Sequence, residues 1–109
     1  MLKRKYRIGK DFNFTNARAF SSPFFTMKIR ENEFLYPRFG IVVSKKTEIL
    51  SVGRNRVRRL LSSCLGKLQK ELLSGYDFLF IIKKEMIGKS QSVICDMVNG
   101  VFKDAGFAL

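Results

Sequence analysis

A chain of 109 residues fits one domain, and its 46% hydrophobic and 13% aromatic content supplies enough apolar material for a core, which excludes general disorder. Its 21 Lys and Arg against 9 Asp and Glu leave a net charge of +12, a balance that favours polyanionic partners. No stretch approaches the roughly 18–20 apolar residues of a membrane span, and the basic Met1-Leu2-Lys3-Arg4-Lys5 is not followed by the apolar run of a secretory signal.

In chain order, Lys3 to Lys10 form a basic arm, expected to be extended, with Tyr6 and Ile8 interleaved. Asp11 to Phe20 is predicted as a short helix, capped by Asp11 and stopped by Ser21-Ser22-Pro23. Phe24 to Arg30 alternates with period two and is predicted as a strand. Glu31-Asn32-Glu33 is expected at the polar tip of a hairpin that returns through Tyr36 to Ser44. From Asn55 to about Leu73 the period turns helical, with Val57, Leu60, Leu61, Cys64 and Leu68 on one apolar stripe and Ser74-Gly75 as its stop. Asp77 to Lys83 holds five consecutive apolar residues, Phe78 to Ile82, and is predicted as a strand buried on both faces. A last helix is predicted from Ser90 to Ala105, with Gly106 beyond it. The order α-β-β-α-β-α implies an α+β domain, a small sheet packed by helices in a sandwich.

Cys64 and Cys95 fall on predicted helices among apolar residues and are expected to be free, buried thiols in a reducing compartment. Without histidine, two cysteines do not make a zinc site.

The densest charge lies in Arg54-Asn55-Arg56-Val57-Arg58-Arg59, four arginines in six positions, with Lys45 and Lys46 just upstream. At 100° per residue, Leu60, Leu61, Cys64 and Leu68 fall within about 60° of Val57, whereas Arg56, Arg58, Arg59 and Asn55 spread over the remaining arc. Arg54 sits at the border. One stripe thus anchors the helix while arginines, suited to bidentate phosphate contacts and base stacking, project outward. The free N–H groups of the helix start reinforce an anion site. A run of one sign, mostly arginine and packed at a helix start, differs from the mixed Lys/Glu pattern of an ordinary solvated face.

The string Val43-Ser44-Lys45-Lys46, a short gap, then Val52-Gly53-Arg54-Asn55-Arg56-Val57-Arg58-Arg59-Leu60 resembles the signature of the ribonuclease P protein family. Leu2-Lys3-Arg4-Lys5-Tyr6-Arg7-Ile8 and the Tyr76-Asp77-Phe78-Leu79-Phe80-Ile81-Ile82 strand extend the likeness over nearly the whole chain. The resemblance implies a single-domain α-β-β-(β)-α-β-α sandwich, shared with certain ribosomal proteins and a translocase domain. It also implies a left-handed β-α-β crossover, and a third strand that would fall near Ser44 to Val52. It further implies a cytoplasmic ribonucleoprotein that removes the 5′ leader of precursor tRNA, with catalysis and Mg2+ residing in the RNA subunit and no metal bound by the protein. Arg54, Asn55, Arg56, Arg58 and Arg59, with Lys45 and Lys46, would bind the catalytic RNA. The leader would lie in a cleft with Phe14 as the matching aromatic, Phe12 as the register alternative, and Phe24 or Phe25 contributing from the strand. Arg18 and Met27 stand where the family carries aromatics, and Ser62, Ser63, Cys64 and Leu65 replace its usual Arg-Glu-aromatic continuation. Precursor tRNA and the ribonuclease P RNA are the implied partners, without a membrane or an obligate protein partner.

Three rivals share parts of this reading. A self-contained nuclease would need carboxylates clustered around metals, but the acids are scattered and there is no histidine. A structural RNA-binding protein of ribosomal type shares charge and size. A DNA-binding domain lacks helix-turn-helix spacing.

Overall fold

The computed structural model describes residues 2–9, 14 and 17–108. Four strands, β1 (Arg18–Ser21), β2 (Phe25–Glu31), β3 (Arg38–Val42) and β4 (Tyr76–Ile82), combine with helices α1 (Ser51–Leu68) and α2 (Gln91–Asp104). Short 3₁₀ turns stand at Arg4–Tyr6, Gln69–Glu71 and Lys84–Met86.

The apolar run of β4 decides the topology. A strand apolar on both faces loses most by lying at an edge, and β4 sits inside a sheet of order β1-β2-β4-β3. It pairs antiparallel with β2 and parallel with β3, the two parallel strands being joined through α1. The expected hairpin between Phe24–Arg30 and Tyr36–Ser44 is therefore corrected. Both strands form, but β4 separates them.

Partners across the ladder share a face. Phe25, Met27, Ile29, Phe39, Phe78, Phe80 and Ile82 point to the side packed by Val57, Leu61 and Leu65 of α1 and by Ile94, Val98 and Phe102 of α2, forming the main core. On the other face Leu79 packs with Ile8 and Phe14 in a smaller cluster, flanked by Val42 and Ile81.

The helix predicted for Asp11–Phe20 is also corrected where it is described. Arg18–Ser21 pairs with β2, Arg18 opposite Ile29 and Ser21 opposite Thr26. The backbone of a short segment beside an exposed sheet edge gains its hydrogen bonds from the neighbouring strand. The remainder of that segment, except Phe14 and Ala17, lies outside the described residues. Buried Ser22 shapes the turn into β2, its Oγ accepting from the Phe25 amide at 3.2 Å and donating to the Phe25 carbonyl at 3.0 Å.

The N-terminal arm is not simply extended. After its 3₁₀ turn, Arg7 bridges Phe39 in parallel and the Ile8 amide donates to the Phe39 carbonyl at 2.9 Å. The third strand expected near Ser44 to Val52 is absent: that segment forms a turn at 45–47 and then enters α1 at Ser51. The helix expected from Asn55 to about Leu73 is corrected to Ser51–Leu68, so Gly75 (φ 90°) serves the turn into β4. Gly106 (φ 83°) stands just beyond α2 as expected, and both lie in the left-handed region that glycine enters at least cost. Ser90 caps α2 by accepting from the Val93 amide.

The expectation of free cysteines is overturned. Cys64 of α1 and Cys95 of α2 form a disulfide across 31 residues of sequence, with Cα atoms 5.5 Å apart. Each lies on an inward flank of its helix, and the packing of α1 on α2 brings them together, a proximity that spacing along the chain does not carry.

Candidate nucleic-acid interface

The start of α1 divides as its periodicity requires. Val57, Leu61, Cys64 and Leu65 are buried, while Asn55 and Arg59 are exposed and Arg58 is half-buried at the rim. The first turn carries no acidic residue, and Leu50 at the N-cap provides no side-chain cap. The Glu48 carboxylate, which accepts from the Leu50 amide at 3.1 Å and lies against Gly53, covers this helix start, so the arginine side chains and not the helix end supply the positive charge.

The five predicted helix residues are not equivalent. Arg54 turns back on the preceding loop, its Nη1 donating to the Glu48 carbonyl at 2.9 Å and the Ile49 carbonyl at 2.7 Å. Arg56 donates to the Lys89 carbonyl at 3.2 Å, tying α1 to the segment before α2. Arg58 reaches Asn55 Oδ1 at 3.4 Å, leaving most of its donor fork available. Arg59 has neither hydrogen bond nor ion pair among the described residues. Lys45 and Lys46 are exposed in a turn closed by Ser44, whose Oγ accepts from the Thr47 amide at 3.2 Å. The turn follows the C-terminal end of β3, so both lysines join the arginines at one end of the sheet. Ile49, Leu50 and Val52 are exposed there too, an apolar rim that sequence reasoning did not single out.

The open face of the sheet forms a second surface. Lys28 and Ala19 are paired across it, as are Thr26 with Ser21 and Ile81. One row holds a charged hub: Arg30, Asp77 and Arg38 are direct neighbours across three strands. Asp77 is fully buried. It accepts from Arg30 Nε at 2.9 Å, Arg38 Nε at 2.9 Å, Arg38 Nη2 at 2.7 Å and Asn32 Nδ2 at 2.7 Å. Burial alone would raise the carboxyl's pKa, but the hydrogen bonds from Arg38, Asn32 and Arg30 prevail and hold it below the ordinary 3.8. The hub was missed because Asp77 was taken only as part of an apolar strand. An acid at the start of an apolar strand, with Arg30 and Arg38 on the polar sides of the neighbouring strands, was the available signal.

Of the predicted cleft residues, Phe14 lies on this face but is only 7% exposed, with the Arg30 guanidinium 4.3 Å over its ring. Phe12 lies outside the described residues. Phe24 is half-buried against the main core with Lys89 Nζ 5.8 Å from its ring centre. Phe25 is fully buried beneath the helices against Phe80 and belongs to the core. Arg18 is exposed and covers Phe107 at 5.2 Å, on the helix-packed side. Of the described candidates, therefore, only Phe14 lies on the open face, beside Arg30, which was not predicted for the cleft.

Among the described residues no three Cys, Asp or Glu side chains converge to hold a metal. Asp77, the one buried acid among them, has its oxygens taken by arginine and asparagine, so it does not fit as a metal ligand. No helix among them is long and apolar enough to cross a membrane.

Comparison with known proteins matches residues 2–106 to the family model Ribonuclease P. The chain is 34% identical over 107 residues to the ribonuclease P protein component of Clostridium kluyveri, covering 93% of this chain and 95% of that one. It is 32% identical over 112 residues to that of Clostridium beijerinckii, covering 93% and 89%. In fold it is similar to the RNase P protein of Staphylococcus aureus, with a TM-score of 0.84 at 24% identity over 95% of this chain and 98% of that one. The RNase P protein of Thermotoga maritima gives 0.80 at 21% identity, over 90% and 94%.

Proposed function

The chain belongs to the ribonuclease P protein family, and from that membership we propose that it binds a catalytic RNA through the start of α1 and the 5′ leader of precursor tRNA along the open sheet face. The observation that carries this is the division of α1. Its apolar stripe is packed into the core, while Arg58 at the rim and exposed Arg59, about two turns into the helix, lie at the same end of the sheet as the exposed Lys45 and Lys46. Such a surface neutralises phosphates and releases counterions, which supplies affinity with little dependence on sequence.

Within this division of labour, Arg54 and Arg56 set the shape of the loop and of the α1–α2 junction that present the site. Lys28, Arg30 and Thr26 line the face on which a single strand would lie, and a mixed polar and apolar face tolerates varied leader sequences. Hydrolysis is assigned to the RNA with its Mg2+; the protein holds the two RNAs in register and lowers the repulsion between them. The location is proposed to be cytoplasmic.

The test is cleavage of a precursor tRNA by a bacterial ribonuclease P RNA at low magnesium, with the protein, without it, and with an Arg58→Ala/Arg59→Ala double variant. The protein should stimulate cleavage at the mature 5′ end. The variant should lose stimulation and show a salt dependence of RNA binding shallower by roughly one to two units of log–log slope. Tight RNA binding without any change in cleavage would refute the proposal and favour a structural RNA-binding role.

A further inference from the structure

The end of the sheet where β2 finishes and β3 begins, opposite the start of α1, carries a separate set of rings and cations. Tyr6 meets Tyr36 edge-on with ring centres 5.5 Å apart, and Phe34 lies 5.3 Å from Tyr36 with planes inclined by 33°. Lys5 Nζ stands 5.0 Å from the Tyr6 centre and 5.1 Å from that of Tyr36. The Arg38 guanidinium lies 4.4 Å over Phe34. A single exposed apolar residue means little. Here Phe34 is 41% exposed with Leu35 at 93% beside it, and although Tyr6 rests partly against the core, Phe34 and Tyr36 are arrayed with cations outside it.

Two further observations say what fits. First, the ladder continues the open face: Arg38, which covers Phe34, is held by Asp77, whose other arginine, Arg30, covers Phe14. Second, the flank is basic. Lys3, Arg4 and Lys5 are exposed, and Lys3 and Tyr6 line, with Gly66 of α1 and Gln69 and Lys70 just after it, a groove of about 230 Å³ on the helix side of this end. Exposed Glu31 and Glu33 on the other flank would repel phosphates, so a strand must carry its backbone on the Lys3–Lys5 side and turn its bases towards the rings. Rings with cations along a basic groove are the means by which proteins hold unpaired nucleic acid.

Resting on the reading of the open face as the leader track, we propose that Phe34 and Tyr36 form a stacking subsite for unpaired leader bases distal to those on the sheet, with Lys3 and Lys5 contacting their phosphates. The catalytic RNA docks at the α1 end, so a strand leaving the cleavage site and crossing the face arrives at this loop.

The chain contains no tryptophan, so Phe34→Trp introduces a sole indole reporter. In the holoenzyme reconstituted with a bacterial ribonuclease P RNA, a precursor tRNA whose leader overruns the sheet should quench this indole, and one whose leader ends on the sheet should not. Phe34→Ala should weaken binding of the long-leader substrate about fivefold or more and leave the short-leader substrate unchanged. Phe34→Leu, which keeps apolar bulk without a π-face, should behave as Phe34→Ala; full affinity in Phe34→Leu would overturn stacking. Equal quenching by both leaders, quenching by the ribonuclease P RNA alone, or no quenching would also overturn the subsite. If wild-type protein still stimulates cleavage of both substrates in an Arg58- and Arg59-dependent way, that failure leaves the proposed function standing. Loss of stimulation itself marks failure of the underlying reading.

Discussion

Replacing Asp77 by alanine removes the anion around which three strands exchange charge. Two guanidiniums, each about 20% exposed at the side chain, lose this carboxylate and three contacts of 2.7–2.9 Å to it, and Asn32 loses a fourth at 2.7 Å. Removing one member of a buried pair costs about 3–5 kcal/mol. Water reaches part of both arginines here, so the lower end, about 3 kcal/mol, is expected. With a urea slope near 2 kcal/mol/M, the unfolding midpoint should fall by roughly 1.5 M. Asp77→Asn, which keeps shape and one acceptor, should lose about half as much. The acid dependence gives a second check. The folded pKa lies below the unfolded value of 3.8, so the charge contributes fully above that value and is lost as pH falls through the lower, folded pKa. The gap between wild type and Asp77→Asn should therefore be constant near neutrality and narrow in acid. A deficit below about 1 kcal/mol for Asp77→Ala, or a gap that widens on acidification, would refute the assignment of the hub as a stabilising element.

Three further outcomes follow from the same geometry. Arg54→Ala should lower stability by about 1–2 kcal/mol through loss of its bonds to the Glu48 and Ile49 carbonyls, whereas Arg59→Ala should weaken RNA binding with an unchanged urea midpoint. The Cys64–Cys95 bridge closes a separation of 31 residues, worth about 3–4 kcal/mol on a chain-entropy estimate. Reductant should lower the midpoint of the wild type and leave that of Cys64→Ala/Cys95→Ala unmoved. Ser90→Ala removes the cap on α2 and should cost about 1 kcal/mol, read as a fall of roughly 4–8 °C in Tm.

Elements with strong internal periodicity were legible in the sequence. The stripe from Val57 to Leu68, the alternation through β2 and the apolar run of β4 each appear where expected, because burial selects residue type at a fixed spacing. Pairing was less legible. Glu31-Asn32-Glu33 marks a reversal but does not say which strand lies beside β2, and the two-sided apolar demand of β4 outranked the hairpin. Arg18–Ser21 has too little pattern of its own to predict a strand; its pairing with β2 determines it. For the interface, the arginine helix was visible as a charge run, but the split between Arg54 and Arg56, bonded to backbone carbonyls, and exposed Arg59 depends on loops folded around them. The open sheet face was the least visible, since Arg30, Arg38 and Asp77 become one group only when strands 39 and 47 residues apart are laid side by side.

That central placement of β4 also orders events in time. β2 pairs with β4 across nearly the whole length of both, and β3 has no neighbour among the named strands except β4. During synthesis, therefore, β2 and β3 emerge with unpaired edges and must wait until α1 and then residues 76–82 have left the ribosome before the sheet can close. Chains rich in such distant contacts fold slowly, and open edges invite pairing with other chains in the interval. A nascent basic chain in this state is surrounded by ribosomal RNA, and its first encounter with a polyanion precedes its own sheet.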